Sequence, residues 1–358
     1  MSRLEYTNHR SDPGAWADAL GTSREAVDLY LSADVIDLHV DSFIWSRTFG
    51  YDLTRRHGTG WLDARIYGQA DFARMLEAQV TGAIWSITTN PLRPASQRAT
   101  IFRRNLDRIC QLFASVDHSY RVVRTAVEYR QARAEGRHGA FLGIQGGNAL
   151  PAPDAAVLLA DGRILRVTLV HLTSSWIGET SSPLGRGSEL GLTQAGRELV
   201  RRLDSLRVLV DLAHVSRRSF WDAVAVHDPS LPLIVTHTGV CGVHPHWRNL
   251  DDDQLRAVAD SGGTVGIIYH TEFLGGSVRG VSADAIVQHL AHVVNTVGDD
   301  HASLGSDWDG AIVTPRDMPT CLELPRLVQL MLDRGWSEDR IRKILGGNFL
   351  RVVSALRG

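Results

Sequence analysis

Eight short apolar runs recur along this chain, at residues 35–41, 82–88, 139–146, 165–172, 208–214, 233–238, 264–270 and 302–307, and their spacing leaves few architectures open. Each is the length of a buried strand, and segments with helical spacing fill the intervals from residue 193 onward. Strand followed by helix, repeated, favours a parallel sheet with helical crossovers. Eight such strands favour closure into a (β/α)8 barrel of the TIM type over an open doubly wound sheet. The strand ends carry His39 with Asp41, Gln145, His171, His214, His237 and Asp307. In a parallel barrel all of these emerge on one face, where active sites are built. The pattern therefore points to a metal-dependent hydrolase.

The expected helices cover 193–206, 216–227, 251–260, 283–297, 324–334 and 337–356, the last interrupted by Gly346-Gly347. Thr193 and Ser216 are cap-type residues, and the acidic start at Asp251 suits a helix N-terminus. Residues 1–22 read as an irregular N-terminal extension, with a short helix at 23–31, and 23–358 as one barrel domain. The stretches 90–96 and 178–191 read as strand-end loops, the second long enough to reach the site.

Composition narrows the partners. With 44% hydrophobic and 22% charged residues the chain has ample material for a core. A net charge of −2 offers nothing to nucleic acid or to an anionic membrane. The three cysteines, Cys110, Cys241 and Cys321, lie far apart and form neither a zinc knuckle nor a disulfide framework. No apolar run is long enough to span a bilayer, and the first residues lack the apolar core of a signal peptide, so a cytoplasmic location is expected. A GxSxG elbow is missing, and no cysteine has a catalytic context, which argues against a serine or cysteine nucleophile.

The chemistry begins at His39-Val40-Asp41. Residues two apart on a strand point to the same side, so an imidazole nitrogen and a carboxylate oxygen can face one divalent ion. Taken singly, His214 and His237 would read as core or rim histidines. Successive strand ends behind an HxD pair make them candidate zinc ligands. Asp307 can accept a proton from metal-bound water or cap a following turn, as can Asp309. His171 can stabilise an oxyanion, and Arg248 can hold a substrate carboxylate bidentately. His244 and His246 read as loop residues, and His270 is left open between wall and ligand.

Taken in order, several segments resemble the renal or membrane dipeptidases, the zinc peptidases of family M19. They are Asp37-Leu38-His39-Val40-Asp41, Gln145-Gly146-Gly147, Gly191-Leu192-Thr193-Gln194-Ala195-Gly196-Arg197 and Leu209-Val210-Asp211-Leu212-Ala213-His214-Val215-Ser216. Pro245-His246-Trp247-Arg248-Asn249, Leu304-Gly305-Ser306-Asp307-Trp308-Asp309-Gly310 and Gly346-Gly347-Asn348-Phe349-Leu350 complete the series. The resemblance implies a barrel with a binuclear zinc site, a homodimer, and cleavage of dipeptides, including some with a C-terminal D-residue. By position it implies that His39 and Asp41 bind one zinc and His214 and His237 the other. His171 and Arg248 would contact substrate, and Asp307 would handle the proton of the attacking water.

One departure stands out. The family generally has a metal-bridging glutamate where this chain has Gln145. A neutral amide is the weaker ligand for a hard cation and leaves two ions less screened from each other. One tight zinc site is expected, with the second weak or empty. Trp247 departs from a common proline. Two further readings share the ligands: another hydrolase on the same barrel, acting on an N-acyl amino acid, lactone or cyclic amide, and a catalytically silent ligand-binding relative. Recruitment to small-molecule biosynthesis is a third.

Overall fold

The computed structural model describes residues 4–358 apart from 60–63, 65–66, 89, 91–92, 151–154, 188 and 277–279. The described strands are β1 (Ile36–Val40), β2 (Gly82–Thr88), β3 (Tyr120–Val122), β4 (His138–Gln145), β5 (Ile164–Thr168), β6 (Leu209–Asp211), β7 (Ile234–Thr238), β8 (Thr264–Ile267) and β9 (Ala302–Leu304). All pair in parallel, in the order β1-β2-β4-β5-β6-β7-β8-β9, with β3 attached outside this path to β4. The ring closes where Asp41 N donates to Trp308 O (2.8 Å) and Asp307 N donates to His39 O (3.0 Å). This is a (β/α)8 barrel of TIM type, as the eight apolar runs predict.

Both faces of the strands are covered, so polar and apolar positions alternate without any becoming exposed. On β1 the apolar Ile36, Leu38 and Val40 alternate with Asp37 and His39, and all five are buried. Asp37 Oδ1 accepts from the backbone N–H of His39 and of Ser306 (both 3.0 Å), which ties β1 to the segment after β9.

The helix starts obey their caps. Thr193 Oγ1 accepts from Gly196 N (2.9 Å), Ser216 Oγ from Ser219 N (3.0 Å), and Asp251 with Gln254 forms a reciprocal capping box. The final helical segment is indeed interrupted: Lys343–Gly347 is a π turn between Glu338–Arg342 and Asn348–Arg357. A Cβ on Gly346 would lie 2.6 Å from Asp34 O, so that glycine permits close packing.

Two expectations need correction. The N-terminal stretch is not irregular throughout, because Pro13–Leu20 is a helix capped by Asp12, with Trp16, Ala17 and Leu20 buried. The short β3 has no apolar run to announce it, and Arg121 at its centre is half-buried. Within the two strand-end loops, positions 91–92 and 188 lie outside the described residues.

Candidate metal centre at the barrel mouth

The C-terminal ends of β1, β4, β6 and β7, with the turns after β5 and β9, bring His39, Asp41, Gln145, His171, His214, His237 and Asp307 together. All but the partly buried His171 are nearly or fully buried. His214 Nε2 and His237 Nε2 face each other at 2.8 Å, and the Gln145 amide lies 3.2 and 3.4 Å from them. His39 Nε2 is 3.5 Å from Asp41 Oδ1 and 3.6 Å from Asp307 Oδ1. Ligand atoms of His39, His237 and Asp307 all lie within 4.8 Å of one another.

Local backbone geometry aims these groups. His214 and Asp307 both have left-handed φ values, 67° and 64°, which turn the chain sharply as it leaves the strand. The carbonyl of His214 is held by Ser181 N (2.8 Å) and Thr180 Oγ1 (3.0 Å), so the long 178–191 loop fixes the turn. Beside Asp307, a Cβ on Gly310 would lie 2.3 Å from its Oδ1, so only glycine leaves room for that carboxylate.

The electrostatics suit a cation. Burial pushes His214 and His237 well below the ordinary histidine range, leaving neutral rings with lone pairs to donate. Burial, then the neighbouring Asp41 charge, pushes Asp307 well above the carboxylate range, and its Oδ1 accepts no hydrogen bond among the described residues. Neutral imidazoles beside a carboxylate short of positive charge are a donor set that fits a divalent metal ion.

Thr88 sharpens the role of Gln145. Its hydroxyl lies 2.6 Å from Asp41 Oδ1 and 2.9 Å from the Gln145 amide oxygen. One hydroxyl hydrogen serves one of them, and the charged carboxylate takes it. Exchanging the ends of the amide lets its N–H donate to Thr88 and directs Oε1 at His214 and His237.

A cleft of about 950 Å³ opens above these groups, with Trp45, Trp247 and Phe273 among its walls. Arg248 is buried; it donates through Nη2 to His237 O (2.7 Å) and makes no ion pair among the described residues. Burial lowers its pKa to about 10, so it stays charged at neutral pH. Burial lowers His171 to about 4, and its Nδ1 has no partner among the described residues.

Other candidates serve the framework. Asp309 accepts from Ser42, from Gln69 N (2.8 Å) and from Ala70 N (3.2 Å), the anchoring alternative that its position allowed. His246 packs against Trp247 and Phe273, and His270 lines the cleft while its Nδ1 accepts from Val313 N (3.1 Å). Sequence reasoning passed over Arg166 and Asp211, which lie inside the barrel beneath the metal-type donors. Their signal was a charge within an otherwise apolar strand run, at 165–172 and 208–214.

A parallel barrel with histidines, carboxylates and a buried arginine at its C-terminal mouth is the arrangement of a metallohydrolase. The model of the membrane dipeptidase family, peptidase family M19, matches residues 23–357, and the chain belongs to that family of metal-dependent dipeptidases. It is 37% identical over 166 residues to an uncharacterised protein from the pqqA 5' region of Klebsiella pneumoniae, a match spanning 46% of this chain and 60% of that relative. It is 27% identical over 328 residues to the dipeptidase aclJ of Aspergillus oryzae, covering 88% of this chain and 76% of that one. A metallo peptidase from Rhodobacter sphaeroides, liganded with a phosphinate mimic of L-Ala-D-Ala, superposes with a TM-score of 0.77 at 25% identity, covering 90% and 99% of the two chains. Among the described residues no helix is long and apolar enough to cross a membrane.

Proposed function

We propose that this protein hydrolyses dipeptides at a zinc centre, and that dipeptides with a C-terminal D-residue are among its substrates. The observation that carries this is Arg248: a buried cation that forms no ion pair among the described residues, opening on the cleft beside metal-type donors. A buried guanidinium of this kind is matched by a substrate carboxylate, which a free dipeptide supplies at its C-terminus. The L-Ala-D-Ala mimic held by the Rhodobacter sphaeroides relative supports the stereochemical part.

His214, His237 and the Gln145 amide oxygen would hold the tight ion, and His39 with Asp41 the weak or empty second position. A bound zinc ion there supplies Lewis acidity for the scissile carbonyl and lowers the pKa of water. Arg248 anchors the C-terminal carboxylate and so places the peptide bond. Asp307, whose Oδ1 accepts no hydrogen bond among the described residues, takes the proton of the attacking water and returns it to the leaving amine as the C–N bond breaks. His171 lies beside His214, ring centroids 4.7 Å apart, where it can donate a hydrogen bond to the tetrahedral oxyanion. The protein is proposed to act in the cytoplasm as a homodimer, which light scattering checks.

Hydrolysis of a mixed panel of L,L and L,D dipeptides by zinc-reconstituted protein, with a chelated control, tests the reading. Chelator-sensitive cleavage is expected. Its absence from folded, metal-loaded protein would favour the silent relative, for which Gln145 is the motive.

A further inference from the structure

Arg166 lies at the centre of the barrel, wholly buried on β5, in a space that Gly143 of β4 keeps open: a Cβ there would lie 2.6 Å from Arg166 Nε. Its guanidinium donates to Ile144 O (2.8 Å), Thr168 Oγ1 and Ser86 Oγ, and lies 3.5 Å from Asp211 Oδ2. Asp211 is held in turn by Thr236 Oγ1 (2.7 Å), Thr236 N (3.0 Å) and Ala213 N (3.1 Å). A cation this well housed is a built feature of the barrel.

What it does follows from its remaining contact. Arg166 Nη2 lies 2.6 Å from His39 Nδ1. A guanidinium has only hydrogens to offer, so His39 Nδ1 must present its lone pair. The neutral ring then carries its one hydrogen on Nε2, directed toward Asp41 and Asp307. A nitrogen bearing hydrogen is no metal ligand. We infer that Arg166 removes His39 from the ligand set, making the centre mononuclear.

Arg166 already sets one buried positive charge beside His39, and with Gln145 uncharged a second ion would meet that charge without a bridging carboxylate to offset it. Gln145 and Arg166 are thus two parts of one arrangement, and Arg166 is a positioning residue acting through His39.

The inference rests on the zinc-centre reading, but its test needs no substrate. Purified full-length protein is equilibrated with zinc, desalted and assayed for metal content. Wild type and Gln145→Glu are expected to retain one equivalent, and Gln145→Glu combined with Arg166→Met two. Two equivalents in wild type or in Gln145→Glu alone would overturn the inference, as would one equivalent in the folded double variant. Long-range ¹⁵N NMR of zinc-loaded wild type provides a second readout that no variant's folding can compromise. His39 is expected to show hydrogen on Nε2 and a lone pair on Nδ1, and the opposite tautomer would overturn the assignment. Failure of dipeptide cleavage with one zinc bound would instead count against the proposed reaction.

Discussion

At the scale of single residues, the site depends on side chains that are buried without the partners their chemistry asks for. Asp307 has an oxygen that accepts no hydrogen bond among the described residues, and Asn in its place keeps the shape but loses the basicity. Asp307→Asn is expected to lower kcat roughly 10²- to 10⁴-fold with metal retained; steady-state kinetics together with metal analysis decide it, and full activity would remove Asp307 from the proton step. Arg248→Ala is expected to raise KM for free dipeptides roughly 10- to 100-fold, with a much smaller effect on C-terminally amidated ones. Equal increases for both would show that Arg248 does not hold the carboxylate. These residues were legible because each terminates an apolar run or follows one closely. Arg166 and Asp211 were harder to read: a charge within an apolar run marks an inward-facing group, but its role shows only once its partners, 127 residues away in the case of His39, are known. Thr88 was hidden for the same reason, since its value lies in being shared by Asp41 and Gln145.

At the scale of elements, capping residues and periodicity located the later helices well, because those signals are local. The helices Ala95–Ser115 and Ala126–Ala134 and the strand β3 drew no such reading. One inter-element contact carries a pH signature. His227, just past helix Arg217–Val224, presents Nδ1 to Asp204 Oδ1 at the end of helix Gln194–Ser205 and Nε2 to Leu231 O, both at 2.8 Å. Both partners accept, so the doubly protonated ring suits the pocket. Burial opposes the charge, but the hydrogen bond and charge of Asp204 outweigh it and raise the pKa. A folded value above the unfolded one of about 6.5 means that the stabilisation is complete below that pH and is lost as pH rises through the raised value. His227→Gln should therefore cost about 1 kcal/mol at pH 5.5 and much less at pH 9, read from urea unfolding at the two pH values. A cost independent of pH would refute the ionic account.

At the scale of the whole molecule, the metal-type donors come from β1, β4, β6 and β7 and from the turn after β9, so an ion held among them would bind the native ring and not the unfolded chain. At zinc concentrations about 100 times Kd the linkage contributes about 2.7 kcal/mol. Chelation is then expected to lower Tm by several degrees, reversibly on adding zinc back; an unchanged Tm by calorimetry would show that the ion contributes little to holding the ring closed. The barrel itself was the most legible feature of all, since its eight strands are buried on both faces and each reads as a largely apolar run. Closure has a consequence for how the protein is made. β1 is synthesised well before its neighbour across the seam, the segment after β9. Arg357, later still, fastens the carbonyls of Arg207 (2.8 Å), Arg124 (3.2 Å), Gly162 (3.0 Å) and Ile164 (2.7 Å). At translation speeds of 5–20 residues per second, the nascent sheet spends between about 10 and 50 s with an unpaired edge. Biogenesis of this protein thus includes an interval in which an open, apolar sheet lies exposed to its neighbours on the polysome.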